Sequence, residues 1–317
     1  MTTTKTLITA FPQQFDSRVQ CAQLQEAGSQ VKLLFPSKTP TIEETIELLK
    51  GVTAFIAGNE PFTERVLQTA SDLKIIARTG VGVDTIDLQA AHALGIRVTI
   101  TPGLTSRAVA DLTVGLLLCL ARRICHNDKS IRQGQWERTI SVDLEGKTLG
   151  IIGMGSIGKL VAKRALAFDM RVVACDSVED HVFAAAHGIS FLARDQLLKV
   201  SDFVSLHLPL NDETRGCIAE RELRLMKPTA YLINTSRGTV VDEQAMCQAL
   251  REDWIAGAGL DVFAQEPPVG SPLLELDNVV MTSHIGAWTL KTWTAMADLA
   301  VAEVIRTIQG QPPLHAV

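Results

Sequence analysis

Three glycines and one aspartate carry the first chemical signal of the chain. Gly153, Gly155 and Gly158 form G-x-G-x-x-G between a short apolar run, Leu149 to Ile152, and a stretch whose apolar residues recur at helical spacing (Ile157, Leu160, Val161, Ala165, Phe168). The order is strand, tight turn, helix. Gly153 can take the backbone conformation that the turn requires, Gly155 removes a side chain where a pyrophosphate approaches, and Gly158 lets helix and strand pack closely. Unpaired N–H groups at the helix start face the phosphates, and the helix dipole adds favourable potential. Asp176 closes the next strand, Arg171 to Cys175, eighteen residues beyond Gly158. That position suits hydrogen bonds from the ribose hydroxyls. Its charge would repel a 2′-phosphate, and Ser177, Val178 and Glu179 supply no cation to offset it. The predicted cofactor is NAD rather than NADP.

The elements that must hold such a site alternate along most of the chain. Strands are predicted at 6–9, 31–35, 54–57, 74–77 and 97–100, with helices between most of them. After the glycine motif, strands follow at 203–207, 230–234, 255–261 and 279–282. This alternation implies parallel sheets covered on both faces, where ligands bind beyond the carboxyl ends of strands. Arg78-Thr79-Gly80-Val81-Gly82 follows one such end and could expose backbone N–H groups to an anion, as a nest, or form an ordinary glycine turn. Thr101-Pro102-Gly103 reads as a hinge. Residues 106–123 read as a long helix so apolar that it must be buried, between domains or between subunits. Residues 127–147 have little periodicity and read as an arm, and 289–309 form an amphipathic helix that packs back on the first domain.

Composition narrows the partners. The 317 residues exceed one ordinary core and fit two domains. Thirty basic and 35 acidic side chains give a net charge of −5 with no basic block, so neither nucleic acid nor an anionic membrane is expected. Six scattered cysteines without C-x-x-C spacing read as buried free thiols rather than disulfides or metal ligands, so no metal site is expected. No stretch has the form of a secretion signal or a membrane span, which points to a cytoplasmic protein.

The chain resembles the D-2-hydroxyacid dehydrogenase family, and within it the branch of D-3-phosphoglycerate dehydrogenases without their C-terminal regulatory domain. The residues that carry the likeness are R-T-G-V-G-V-D-T-I-D-L (78–88), T-P-G-L-T-S-R-A-V-A-D-L-T (101–113), G-Q-W-E-R (134–138), the glycine motif, N-T-S-R-G-T-V-V-D-E (234–243), L-D-V-F-A-Q-E-P-P (260–268) and T-S-H-I-G-A-W-T (282–289). The resemblance implies an α/β fold of two doubly wound parallel-sheet domains. A Rossmann cofactor domain, 101–284, is inserted into a discontinuous flavodoxin-like substrate domain, 1–100 plus 285–317, with the active site in the cleft between them.

The resemblance further implies that Arg237, Glu266 and His284 are the catalytic set. Oxidising a secondary alcohol removes a hydride and a hydroxyl proton, so a base that titrates near neutrality is needed, and histidine is that residue. A carboxylate at Glu266 would stabilise the imidazolium, and Arg237 would bind the substrate carboxylate and polarise the carbonyl. By the same likeness, N–H groups near Thr79, Gly80, Val81 and Gly82 bind the carboxylate with Arg78 close by. Thr101, Ser156, Ile157, Thr235 and Asp261 line the cofactor. Arg138 sits in an arm that reaches a neighbouring subunit, which implies a homodimer. Trp288 stands where the family usually carries a small residue, and Gly103-Leu104-Thr105 departs from its Asn-rich turn. The expected activity is reversible, NAD-dependent interconversion of a small D-2-hydroxy acid and its 2-oxo acid, with 3-phosphoglycerate, hydroxypyruvate and glyoxylate among the candidates. An NAD-sensing co-repressor on the same fold and a formate dehydrogenase remain alternatives, the latter disfavoured because Glu266 stands where that branch carries an amide.

Overall fold

A computed structural model describes residues 4–317 and divides the chain into two compact units. One takes the chain up to Thr105 together with Trp288–Val317; the other is Ser106–Ala287.

The first unit is built on five parallel strands, β1 (Thr4–Ile8), β2 (Ser29–Leu33), β3 (Ala54–Ala57), β4 (Ile75–Arg78) and β5 (Arg97–Thr99), in the order β2-β1-β3-β4-β5. This is the flavodoxin-like order, and its direction reverses between β1 and β3. β3 reads Ala-Phe-Ile-Ala and is buried at all four positions, as expected of a strand covered on both faces. The intervening helices are α1 (Arg18–Glu26), α2 (Ile42–Leu48), α3 (Glu64–Thr69) and α4 (Leu88–Ala93). Thr41, Thr63 and Asp87 cap the last three by accepting backbone N–H groups, and Glu44 completes a capping box on Thr41.

The C-terminal helix, written α12 (Leu290–Ile308) in chain order, packs on α1, β3 and β4 through Ala297, Ala300, Val301 and Val304. Beyond it the tail bridges the open edge of β5, with Val317 donating to Val98 and Ile100 donating to His315. Glu303, 1% exposed, accepts the Leu314 N–H and pairs with His315 Nδ1 at 2.7 Å.

The second unit holds seven parallel strands: β6 (Thr148–Ile152), β7 (Arg171–Cys175), β8 (Ser190–Phe191), β9 (Phe203–Leu206), β10 (Tyr231–Asn234), β11 (Gly257–Leu260) and β12 (Val279–Met281). Their order, β12-β11-β10-β9-β6-β7-β8, is the dinucleotide-binding arrangement with one strand added, and β6 sits at the reversal. The helices are α5 (Ser106–Ala121), α6 (Ile124–Arg132), α7 (Ser156–Leu166), α8 (His181–His187), α9 (Arg194–Val200), α10 (Glu220–Leu225) and α11 (Glu243–Arg251).

The apolar α5 packs within this unit against α7 and β10 to β12. Gly259 on β11 leaves room for it, since a Cβ there would stand 3.1 Å from Leu116 and Leu120. The predicted arm begins as a helix, α6, set off from α5 by Arg123 in the left-handed region (φ 51°). Ile124 and Ile131 on it are exposed, so no buried stripe marked it as helical.

Candidate functional site

The glycine motif lies at the carboxyl end of β6, and its three glycines meet different surroundings. Gly153 has φ +95°, and a Cβ there would stand 2.5 Å from the His207 carbonyl oxygen at the end of β9. At Gly158 a Cβ would stand 2.1 Å from the Gly153 carbonyl oxygen. Both glycines are required by the protein's own packing. Gly155 differs, because a Cβ there would meet nothing within 4 Å, and Gly155 and Ser156 are exposed. Open space before the first turn of α7, lined by Ser156, Ile157 and Gly158, is the cradle a pyrophosphate needs. Ser156 Oγ is 3.1 Å from Ser106 Oγ, which ties the cradle to the start of α5.

Asp176 is held at the same strand ends. Its Oδ2 accepts the Met154 N–H at 2.5 Å and its Oδ1 accepts the Val178 N–H at 2.9 Å. The carboxylate is thereby fixed over the glycine turn, with lone pairs left for hydroxyl donors. These residues fit a bound dinucleotide.

Arg237, Glu266 and His284 come together in the second unit, each after a different strand. Arg237 follows β10 in a turn organised by Asn234, whose Oδ1 accepts from Ser236 and whose Nδ2 donates to the Arg237 carbonyl at 2.9 Å. Gly238 sets the depth of that turn. A Cβ there would stand 1.9 Å from the Phe263 carbonyl carbon, so only glycine lets the two backbones touch. Across this contact Glu266 accepts the Phe263 N–H at 3.1 Å through Oε1, and its Oε2 lies 2.7 Å from His284 Nδ1. The loop is anchored from behind by Glu243 on α11, which accepts from Ala264 N and Ser271 Oγ.

The electrostatics of the pair follow from this geometry. Burial pushes the Glu266 carboxyl up, but the hydrogen bond and charge of His284, the Phe263 N–H and the Arg237 charge outweigh it and leave it below its ordinary value. Glu266 therefore stays ionised against the imidazole. Among the described residues no protein group bonds His284 Nε2, and the side chain is 40% exposed, so that nitrogen is presented outward.

Asp261 has a different setting from the one expected. It is 1% exposed, and its carboxylate accepts Thr282 Oγ1 at 2.6 Å, Ile285 N at 2.8 Å and Gly286 N at 2.8 Å. It thus clamps the turn in which His284 adopts φ 55°, an uncommon conformation for a residue with a side chain. Thr235 is likewise occupied, its hydroxyl 3.0 Å from Thr113 Oγ1. Asn234, Gly238 and the clamping role of Asp261 were missed in the sequence. The signal was there in part, as an Asn-Thr-Ser turn and a glycine directly after the arginine.

The first unit places the loop after β4 by itself. Arg78 donates to the carbonyls of Thr79 and Gly82 and to Asn59 Oδ1, so its guanidinium holds the loop in shape. The Thr79 N–H and hydroxyl both donate to Ala57 O, and the Gly80 N–H donates to Thr101 Oγ1 at 2.8 Å. Thr101, 1% exposed, is thus a tether of this loop. The N–H groups of Val81 and Gly82 have no acceptor among the described residues. Trp288 stacks edge-on with Trp293, ring centroids 5.2 Å apart.

The fold and cradle of the second unit define a dinucleotide-dependent oxidoreductase class. Residues 114–286 match the NAD-binding domain of the D-isomer specific 2-hydroxyacid dehydrogenases. A glyoxylate reductase of Korarchaeum cryptofilum is 42% identical over 286 residues, 88% of this chain and 86% of that one. A D-3-phosphoglycerate dehydrogenase of Methanocaldococcus jannaschii is 39% identical over 86% of this chain and 52% of its own length. Among solved structures, the D-lactate dehydrogenase of Aquifex aeolicus complexed with NAD and lactic acid superposes with a TM-score of 0.85 at 32% identity, covering 96% of both chains. The chain belongs to the D-isomer specific 2-hydroxyacid dehydrogenase family. It is an NAD-dependent oxidoreductase that interconverts 2-hydroxy and 2-oxo acids.

Proposed function

We propose that His284 is the acid and base of this reaction, and that the chain acts on small, short-chain 2-oxo acids of the glyoxylate and hydroxypyruvate kind. The observation that carries the proposal is the 2.7 Å contact between His284 Nδ1 and Glu266, with Nε2 left outward. Protonated Nε2 donates to the 2-oxo oxygen during reduction and takes the hydroxyl proton back during oxidation. Glu266 fixes the tautomer and ring orientation and stabilises the imidazolium. Arg237, a planar cation, holds the substrate carboxylate and polarises the carbonyl. NAD supplies the hydride acceptor and NADH the donor.

In this reading Ser106–Ala287 is the cofactor domain and the other unit the substrate domain, where Val81 and Gly82 offer N–H groups to the carboxylate. An NAD-sensing binding protein on the same fold keeps these residues too, so turnover is what separates the two readings. The protein acts as a homodimer, supported by the exposed apolar side chains of α6 and the stretch after it. A cytoplasmic location accords with six free cysteines and a nicotinamide cofactor. Among the described residues no helix is long and apolar enough to cross a membrane.

The test is an NADH-oxidation screen over 2-oxo acids with and without a terminal phosphate, repeated with NADPH. Turnover of glyoxylate or hydroxypyruvate with NADH at several times the NADPH rate is expected. Tight NADH binding with no turnover of any 2-oxo acid would overturn the reading in favour of the sensor.

A further inference from the structure

The loop that carries Glu266, residues 264–271, is barely embedded in its own unit. Residues 264–267, 269 and 270 are exposed and Pro268 is half-buried, and the next fully buried side chain is Leu273. Its internal backbone hydrogen bonds run from Val269 N–H to the Pro267 carbonyl at 2.8 Å and from Ser271 N–H to the Pro268 carbonyl at 3.1 Å, so they close only its second half. Between loop and helix lies a cavity of about 260 Å³, with Glu243, Gln244 and Cys247 of α11 on one side and Gln265, Pro268 and Val269 on the other. Apolar packing therefore does little to fix Glu266 in place.

Glu243 ties the two sides together. Its Oε2 accepts the Ala264 N–H at 3.1 Å and its Oε1 accepts the Ser271 hydroxyl at 2.7 Å, so it grips the loop at both ends. Hydrogen bonds to a carboxylate are roughly twice as strong as those between neutral groups. The helix end that presents it is well fixed, because Asp242 caps α11 by accepting the Gln244 and Ala245 N–H groups, and Met246, Cys247, Ala249 and Leu250 behind it are buried. With Asp242 in the capping role, both Glu243 oxygens are left for the loop. Two residues past Ala264, Glu266 must keep Oε2 at 2.7 Å from His284 Nδ1. A misplacement of about 1 Å in such a constellation can cost on the order of a hundredfold in rate.

We infer that Glu243 is a positioning residue for the reaction, which sets turnover by holding the loop that aims Glu266 at the His284 imidazole. The inference rests on the reading of Glu266 and His284 as the acid–base pair. Glu243 works through Glu266 and not on the substrate itself, so its effect belongs to kcat and disappears when Glu266 can no longer do its task. A contact that only stabilised the fold would have the same geometry but would act whether or not Glu266 were present.

The experiment is a double-mutant cycle on kcat and KM for glyoxylate reduction with NADH, using Glu243→Ala, Glu266→Gln and the two combined. Glu243→Ala should lower kcat about tenfold and leave KM for NADH within about twofold, because the glycine turn and Asp176 lie outside the loop. In the Glu266→Gln background the same change should lower kcat by less than about twofold, since the group being positioned is already lost. Ser271→Ala removes one of the two contacts from the loop side and should show the same dependence on Glu266 at smaller size, about threefold, which keeps the test open should Glu243→Ala not fold. The inference is overturned if neither variant lowers kcat, if the loss is as large beside Glu266→Gln, or if KM for NADH rises in step with the loss of kcat. An unchanged kcat in Glu266→Gln alone would instead strike the acid–base pair of the proposed function, and this inference with it.

Discussion

At the scale of single residues, the chemistry depends on an imidazole that can hold and release one proton while its partner never changes charge. Glu266 meets that condition because its carboxyl sits below its ordinary value of 4.5, through His284, the Phe263 N–H and Arg237 acting against burial. A carboxyl whose native value is depressed adds stability that is complete above the unfolded value and is lost as pH falls through the native one, so the pair is intact throughout the neutral range. Reduction of a 2-oxo acid should therefore keep its Glu266-dependent rate from neutrality down past the ordinary carboxyl range and lose it only as Glu266 takes a proton. Glu266→Gln should lower kcat/KM for reduction at neutral pH, because a neutral amide no longer stabilises a cation beside it; an unchanged kcat/KM would separate Glu266 from the histidine. His284→Ala should cut kcat by about 10²- to 10⁴-fold, the usual weight of a positioned acid or base. NADH affinity measured by fluorescence titration should change little.

At the scale of elements, much of the site could be read in the sequence because its parts are local. The glycine turn, the strand before it, the helix after it and Asp176 lie within one strand–helix–strand segment, and their spacing follows from backbone sterics. What escaped was either short or held at a distance. β8 is two residues long and carries no alternation. α8 lacks a strong apolar stripe, although Asp180 caps its start by accepting Phe183 N and Gly188 ends it at φ 65°. Those two residues were the legible signal. The Asp261 clamp on Ile285 and Gly286 spans 24 and 25 positions, which no local pattern encodes.

The glycines offer a test at this scale. Gly158→Ala puts a methyl group 2.1 Å from the Gly153 carbonyl oxygen and should lower stability by about 1–3 kcal/mol, since the helix must shift. Gly155→Ala enters open space at φ −70° and should leave thermal unfolding nearly unchanged while weakening NADH binding severalfold or more. Equal loss of melting temperature in both variants would remove the distinction between a packing glycine and a ligand glycine.

At the scale of the whole molecule, the chain leaves large apolar side chains uncovered. Trp136 is 79% exposed, Ile140 is 98% exposed and Ile131 is 58% exposed, all on α6 or the stretch that follows it. A run of large apolar side chains in solvent is uncommon on a lone soluble chain and marks a contact surface. Residues 134–142 make no regular element of their own, consistent with a segment shaped for a partner. A second copy is the economical partner, because a twofold interface presents the same patch twice. Burying each of these side chains contributes about 1.5–3 kcal/mol, and in a twofold interface every substitution acts at both copies. Sedimentation of the wild type should give a particle of twice the 34.4 kDa chain. Trp136→Asp combined with Ile140→Asp should weaken association by several orders of magnitude and yield single chains at micromolar concentration, with the far-UV spectrum retained because neither side chain belongs to a core. A wild type that sediments as single chains, or a double variant that stays paired, would place the contact elsewhere and leave the exposed apolar run to some other partner.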